Sequence, residues 1–163
     1  MRSLFLSLLL SAVFVLPAGA AVDTSKLQLP GDITLEQART VVEGALEFAK
    51  KQGVPMNITV VDAGGNLKAF CRMDGAFLGS IDISQKKAVT ARRFNMSSAE
   101  LGALAQPGKE LFGIEATNGG LAIFGGGELL RDNGVIIGAI GVSGGSVQED
   151  TNVAKAGAAA LGK

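Results

Sequence analysis

The 163-residue sequence contains no His, Trp or Tyr and has a single cysteine, Cys71. Without His, the protein cannot form a His-based catalytic triad, a His metal site or a His-ligated haem. A single Cys excludes an intramolecular disulfide, a C-x-x-C redox site and a thiolate zinc cage. An excess of positive charge is also missing, because 15 basic residues balance 15 acidic ones. This balance excludes a nucleic-acid binder that relies on a basic field.

The composition is that of one folded domain. Hydrophobic residues make up 47% of the chain and charged residues 18%, which argues against disorder. The length suits one domain with a sizeable core, and we find no repeat, linker or second domain. We therefore assign residues 33–163 to a single domain.

The first 20 residues have the three parts of a secretory signal peptide. Arg2 supplies the positive end, residues 4–16 are almost entirely apolar, and Ala18 and Ala20 form a small-residue cleavage pattern. The alternative is a membrane anchor, but the apolar run is shorter than the roughly 20 residues that a spanning helix needs. We predict cleavage after Ala20, a periplasmic or secreted protein with no membrane span, and a polar tail at 21–32. Because an exposed lone thiol suits an oxidising compartment poorly, we expect Cys71 to be buried.

Periodicity and turn signals predict an α+β fold with a mostly antiparallel sheet flanked by helices. Thr34 and Gln37 form a capping box at the start of the first helix, and Ser146 with Glu149 repeats the pattern before the last one. The predicted helices cover 34–52, 80–95, 98–105 and 147–161, and apolar runs that read as strands cover 57–63, 67–73, 121–124, 128–131 and 135–142.

One candidate site follows the first hairpin, at Arg72, Met73 and Asp74. Arg72 can bind an anionic ligand group, and Met73 can contact an apolar ring or iron. The structural alternative is a cross-strand ion pair and a core thioether. Asp74 could also pair with Asp62 for acid–base chemistry, although their spacing does not show that they converge.

The glycine-rich segments are a second group of candidates. None contains the Lys of a P-loop, so the glycines around Gly126 either serve turns and close packing or expose backbone to a ligand. Ser143, Gly144, Gly145 and Ser146 precede the last helix, where free amides can hold a carboxylate or phosphate. Simple capping of the helix is the alternative for this segment.

The second helix carries a basic group. Its members are predicted to be more exposed than the core positions, so that Lys86 and its neighbours could receive two haem propionates. A solvated face or a subunit contact is the alternative. The four residues are Lys86, Lys87, Arg92 and Arg93.

The chain resembles the GlcG/HbpS-like family of haem-binding and haem-degrading domains, which also forms the C-terminal domain of some corrinoid adenosyltransferases. The resemblance covers residues 33–161. It rests on V-V-D-A-G-G-N-L, R-M-D-G-A, S-I-D-I-S-x-K-K-A-x-T-A and G-A-I-G-V-S-G-G-S-V-x-x-D. It implies a profilin-like, three-layer arrangement with a five-stranded antiparallel sheet, a homo-oligomer, and haem or a corrinoid as ligand.

This chain differs from the family where a haem iron would be held. It has neither His nor Tyr, so an iron ligand must be Met, Cys, Lys, a hydroxyl, a carboxylate or water, and Gly125 stands where relatives often carry Pro. The resulting hypothesis is an exported, oligomeric binding protein for haem or a related tetrapyrrole, rather than an enzyme. The alternatives are an accessory protein of an oxidation or sensing system, and a weak haem-degrading enzyme.

Overall fold

A computed structural model describes residues 31–162 of the chain. The predicted signal peptide at 1–20 and nearly all of the predicted tail lie outside the described residues. The helices are α1 (Leu35–Gln52), α2 (Gly79–Phe94), α3 (Ser98–Leu104) and α4 (Val147–Ala159), with single 3-10 turns at Ile114–Ala116 and Ala160–Gly162. The strands are β1 (Asn57–Val61), β2 (Leu67–Arg72), β3 (Gly127–Asp132) and β4 (Val135–Ser143).

Helix α1 begins and ends where its sequence predicts. The hydroxyl of Thr34 accepts a hydrogen bond from the Gln37 amide, and the Gln37 side chain accepts one from the Thr34 amide. These bonds satisfy amides that the first helical turn leaves without partners. At the other end Gly53 adopts a left-handed conformation with φ of 77°, which glycine accepts without steric cost.

The strands form one antiparallel sheet in the order β2-β1-β4-β3. The turn between β1 and β2 is held by Asp62, whose Oδ1 accepts hydrogen bonds from the amides of Gly64 and Asn66, each at 2.8 Å. Asp62 therefore serves the hairpin turn. The order leaves β2 and β3 as the two edge strands of the sheet.

Helices cover both faces of the sheet, so the predicted three-layer α+β architecture is confirmed. Helices α1 and α4 pack together on one face, the α1/α4 face, over the main core. Helix α2 covers the opposite face, the α2 face, over a smaller cluster. Ile58, Val60, Ile140 and Val142 point to the main core, while Val61 and Ala139 point to α2.

Helix α2 lies close to the sheet because the strands beneath it carry glycine. A methyl group at Gly141 would collide with the Ser84 carbonyl and the Ala88 amide nitrogen on α2. A methyl at Gly127 would collide with the Lys87 carbonyl in the same way. The glycines on this face therefore permit a close approach of helix backbone to strand backbone.

The prediction of five strands is wrong by one, because the sheet in residues 31–162 has four. The apolar run at 121–124 forms no strand, and helix side chains bind its backbone instead. The Ala122 amide donates to the Thr90 hydroxyl at 3.1 Å, and the Phe124 carbonyl accepts from the Ser98 hydroxyl at 2.7 Å. Hydrophobicity alone could not distinguish this buried segment from a strand.

Two further features complete the fold. Lys87, which we predicted to be exposed with the rest of the basic group, is fully buried.

Within residues 31–162, no helix combines the length and the apolar character needed to cross a bilayer.

Candidate functional site

A cavity of about 360 Å³ opens at the edge of the sheet, between α1 and the end of β2. We call it the edge cavity. It contains all three residues of the first predicted site. Its lining residues are Leu46, Lys50, Cys71, Arg72, Met73 and Asp74. Apolar, cationic and thiol groups and the Asp74 carboxylate therefore meet in one concave surface, and a mixture of apolar and a few polar groups is typical of a small-molecule site.

The strand alternation sets which way the β2 side chains point. Cys71 is paired with Ile58, whose side chain belongs to the main core, so Cys71 faces α1. Arg72 is paired with Asn57 and leaves the strand on the α2 face. Because β2 is an edge strand, no further strand blocks the exposed Arg72 side chain, which is long enough to reach around β2 and line the edge cavity.

The expectation that Cys71 is buried is wrong, since the structure leaves it half-buried. The reason is its position on an edge strand, where α1 covers only part of the side chain. The thiol therefore lines the edge cavity rather than the interior.

Met73 is engaged with the core as well as with the cavity. Its sulfur accepts a hydrogen bond from the Met56 amide at 3.3 Å, and its own amide donates to the Met56 carbonyl at 3.0 Å. The side chain also packs against the main core. These contacts fit the core-thioether alternative. Of the two sulfur atoms that line the edge cavity, the one of Cys71 has no such bond within residues 31–162.

The sheet register brings the two predicted segments to the same end of the molecule. Asn57 is paired with Arg72 on one side and with Ser143 on the other. Arg72, Asn57 and Ser143 therefore form a row across β2, β1 and β4 on the α2 face. Residues distant in sequence thus become neighbours at one sheet end.

Two amides of the loop that contains Ser143, Gly144, Gly145 and Ser146 are used by the protein itself. The Gly145 amide donates to Asp150 Oδ1 at 2.9 Å, and the Ser146 amide donates to Glu149 Oε2 at 2.8 Å. The Ser146 hydroxyl in turn accepts from the Glu149 amide, which completes a capping box. These bonds fit the capping alternative that the sequence left open.

Gly145 does not belong to the glycines with positive φ in the described residues. Its constraint is space. A methyl group there would lie 2.6 Å from Glu149 Oε2 and 3.1 Å from Val54. Gly144 is similarly confined by the Pro55 carbonyl and by Met56.

Gly126 belongs to a different part of the molecule, around a buried ion pair. Lys87 Nζ lies 2.7 Å from Asp150 Oδ2 and donates to the Val142 carbonyl at 3.0 Å. Gly126 has φ of 113°, and a methyl group there would come within 2.8 Å of Lys87 Nζ. The bare backbone of Gly126 therefore makes room for the protein's own ammonium group.

The environment of Lys87 is apolar apart from these partners. Burial lowers the pKa of Lys87, and the hydrogen bond and charge of Asp150 act in the opposite direction. The ammonium also lies 4.7 Å from the centre of the Phe124 ring, a favourable cation–π distance. Lys87 is thus a paired structural charge and contributes nothing to a basic surface.

The remaining members of the basic group do not line the edge cavity. Lys86 forms an exposed ion pair with Asp82 at 2.9 Å, one turn earlier on α2. Arg92 donates to the Asn95 side chain at 2.7 Å, and Arg93 donates to the Asn118 carbonyl at 3.3 Å. The second cation of the cavity is Lys50, which sequence reasoning missed.

The two acidic candidates of the first hairpin do not form a pair. Asp62 lies at the turn end of the hairpin and Asp74 at its open end. Burial raises the pKa of Asp62, but hydrogen bonds from Asn66 and Gly64 outweigh it and hold the pKa below its usual value. Asp62 is therefore a turn-stabilising carboxylate that stays ionised.

The sequence contained one indication that Leu46 and Lys50 lie close together. They are four residues apart on α1, so both lie on one side of that helix. Their spacing gave no indication of which strand they face. That information depends on the sheet order, which places β2 at the edge beside α1.

Comparison with known proteins places these features in a family context. A family model described as "Haem degrading protein HbpS-like" matches residues 33–159. A Citrobacter freundii protein of 15.0 kDa, from the region between dhaT and dhaS, is 41% identical over 80% of this chain and 93% of its own length.

Two further similarities involve corrinoid adenosyltransferases. The enzyme PduO of Salmonella typhimurium is 36% identical over 84% of this chain, which spans only 41% of the length of PduO. A crystal structure described as a complex of PduOC with haem superimposes with a TM-score of 0.76 at 35% identity, covering 79% of this chain and 94% of PduOC.

Proposed function

Because the chain belongs to the HbpS-like family of haem degrading proteins, we propose that it binds haem or a related tetrapyrrole in the edge cavity. One observation carries the proposal: the cavity joins two cationic residues, a thiol and apolar side chains in about 360 Å³. The haem complex of the related PduOC supports the choice of ligand.

The residues of the edge cavity fit the chemistry of haem. Lys50 and Arg72 are the donors for the two propionates, because ionised donor–acceptor pairs give strong hydrogen bonds. Leu46 and Met73 supply apolar contact for the ring, and the Cys71 thiol is the candidate iron ligand. When bound, haem would supply the iron chemistry, and this chain's residues would orient the ring and cover part of one side.

The proposal is tested by titrating purified protein with hemin and recording the Soret band. The double variant Lys50→Ala/Arg72→Ala should weaken binding by at least about tenfold, since charge-assisted hydrogen bonds are each worth about 1.5–3 kcal/mol. The matched control is Lys51→Ala, which removes the neighbouring cation on α1 that does not line the cavity.

The iron ligand has a separate readout. Cys71→Ala should shift the Soret band of the bound hemin, while Lys51→Ala should leave it in place. The absence of any spectral change with micromolar hemin would refute the function. Unchanged affinity in the double variant would refute the location.

A second candidate activity is haem breakdown, and it rests on the description of the matching family. Free haem bleaches with peroxide, so the decisive comparison is with an equal amount of haem on albumin. Faster loss on this protein than on albumin would support degradation, and equal rates would leave binding alone. An accessory role beside a sensing or oxidation system is the other alternative.

We also propose export and self-association. The pattern at Ala18 and Ala20 supports cleavage after Ala20, and intact-mass analysis of the exported fraction would detect a chain that begins at Ala21. The small residues Ala154, Gly157 and Ala158 on α4 would allow another backbone to approach closely, although Ala154 and Gly157 are buried inside the domain. Light scattering would show a mass well above that of a monomer, and a clean monomer at micromolar concentration would contradict the proposal.

A further inference from the structure

Asn57 presents a buried hydrogen-bond acceptor that nothing in residues 31–162 satisfies. Its side chain is fully buried, and its Oδ1 atom has no hydrogen-bond partner. The orientation of the amide is set by Nδ2, which donates to the Phe77 carbonyl at 3.0 Å. Since a buried acceptor without a donor is destabilising, Oδ1 calls for a donor from outside the described residues.

The acceptor lies where the chain also attracts negative charge. The Phe77 carbonyl that Asn57 contacts lies just before Leu78, the N-cap residue of α2, which gives no side-chain cap. In the first turn the Ser80 and Ile81 amides donate to the Phe77 and Leu78 carbonyls, whereas no group of residues 31–162 accepts from the Gly79 amide at the positive end of the helix. Arg72 is paired with Asn57 in the sheet and lies on the same face, so it adds a full positive charge to this corner.

Two carboxylates lie near this corner. Asp74, two residues after Arg72, is exposed and lines the edge cavity. Asp82, in the first turn of α2, is neutralised by Lys86 at 2.9 Å. On the other side of Asn57, the register partner Ser143 is nearly buried and adds a neutral hydroxyl. The corner therefore combines a positive end, a hydroxyl and one acceptor that needs a donor.

We propose that the start of α2 binds a small carboxylate that carries a hydroxyl group on the adjacent carbon, at a site that shares Arg72 with the edge cavity but reaches Asn57 on the α2 face. The carboxylate binds Arg72 and the Gly79 amide at the start of α2. The ligand hydroxyl donates to Asn57 Oδ1. The site takes small hydroxy acids and selects them over carboxylic acids of the same size that lack the hydroxyl.

Access to Asn57 requires movement of the short segment in front of α2. Ala76 in this segment is buried, but Phe77 and Leu78 are 70% and 71% exposed, so these two side chains have little packing to hold them. It lies between Gly75, with φ of 81°, and Gly79, around which no atom lies within 4 Å of an added methyl group. Outward displacement of the segment would break the bond from Asn57 Nδ2 to Phe77 and uncover the acceptor.

The test compares lactate with propionate, which differ by one hydroxyl, by NMR titration of ¹⁵N-labelled protein. Lactate should shift the Gly79 and Ser80 amides and the Asn57 side-chain amide, and should bind about three- to tenfold more tightly than propionate. Asn57→Leu should abolish this preference. Arg72→Gln, an exposed substitution that spares the fold, should weaken both acids.

Hemin titration of the same variants separates this site from the edge cavity. Asn57→Leu should retain hemin affinity, and Lys50→Ala should retain lactate affinity. If neither acid shifts these resonances at millimolar concentration, the proposal is overturned and a buried water is the donor to Asn57. Equal affinity of wild-type protein for lactate and propionate would overturn it as well.

Discussion

Lys87 on α2 and Asp150 on α4 form an ion pair of 2.7 Å that connects the two outer layers of the molecule. Both side chains are almost completely inaccessible to solvent, and Asp150 also accepts the Gly145 amide with its second oxygen. Lys87 reaches its partner past Gly126, the residue before β3. The pair therefore fixes α2, α4 and the loop before α4 relative to one another.

Removing one member of this pair should be severely destabilising. Lys87→Met leaves the Asp150 charge buried without its partner, and the expected loss is about 3–5 kcal/mol of unfolding free energy. The double variant Lys87→Met/Asp150→Asn removes both charges, keeps an acceptor for Gly145, and should recover part of this loss. Denaturant unfolding would measure both.

The matched control is Lys86→Met, one residue away on the same helix. Lys86 forms an exposed pair with Asp82, so its loss should cost less than about 1 kcal/mol. Similar losses of unfolding free energy for Lys86→Met and Lys87→Met would show that the buried ion pair contributes no more to stability than the exposed one.

Gly141→Ala should separate α2 from the sheet. The added methyl group meets the Ser84 carbonyl and the Ala88 backbone, which cannot rotate away, and overpacking of this kind costs about 1–3 kcal/mol or more. Gly79→Ala is the control, because its methyl group meets no atom within 4 Å. Thermal unfolding should show a lower Tm for Gly141→Ala alone, and equal melting of the two variants would contradict the packing.

Stability should fall in acid partly through the capping boxes of α3 and α4. Hydrogen bonds from Ser97 and Ser146 lower the pKa of Glu100 and Glu149 below the usual value of 4.5. Below pH 4.5 the unfolded chain binds more protons at these groups, so folding stability declines as the pH falls through the lowered pKa values.

Substitution tests this dependence directly. Glu100→Gln/Glu149→Gln keeps acceptor oxygens but cannot titrate, so its Tm should decline less steeply than that of wild type below pH 4.5. The control is Glu43→Gln on the exposed side of α1. Parallel acid profiles for wild type and the double variant would exclude a role for the caps.

Cys71 should react slowly with iodoacetamide in the folded protein, because its side chain is half-buried in the edge cavity. Hemin should slow the reaction further if it occupies that cavity. Mass spectrometry of the modified fraction gives both rates. Hemin that binds without protecting Cys71 must occupy another surface.

Local features of the fold were predictable because their causes lie within a few residues. The predicted capping boxes of α1 and α4 are confirmed, and each depends on a Ser or Thr three residues before a Gln or Glu. The structure shows the same arrangement at the start of α3. The hairpin between β1 and β2 is confirmed for the same reason, since glycines in its turn allow the chain to reverse.

Features that depend on distant partners were not predictable. Lys87 has the same local sequence signal as Lys86, and only the fold shows that it reaches Asp150. The segment 121–124 is as apolar as a strand, but its backbone partners, Thr90 and Ser98, come from helices. Lys50 lines the edge cavity because the sheet order places β2 beside α1, and its local sequence does not show this.

The central position of β1 makes both proposed sites sensitive to a shift of one residue. Side chains alternate between faces, so a slip of β1 against its neighbours would turn Asn57 toward α1 and carry Ile58 out of the main core. The hydrophobic energy that holds Ile58 in place thus also dictates where Asn57 points. A chain with the wrong β1 register would lose both the Asn57 site and the main core. Selection for stability alone would therefore preserve the geometry of that site.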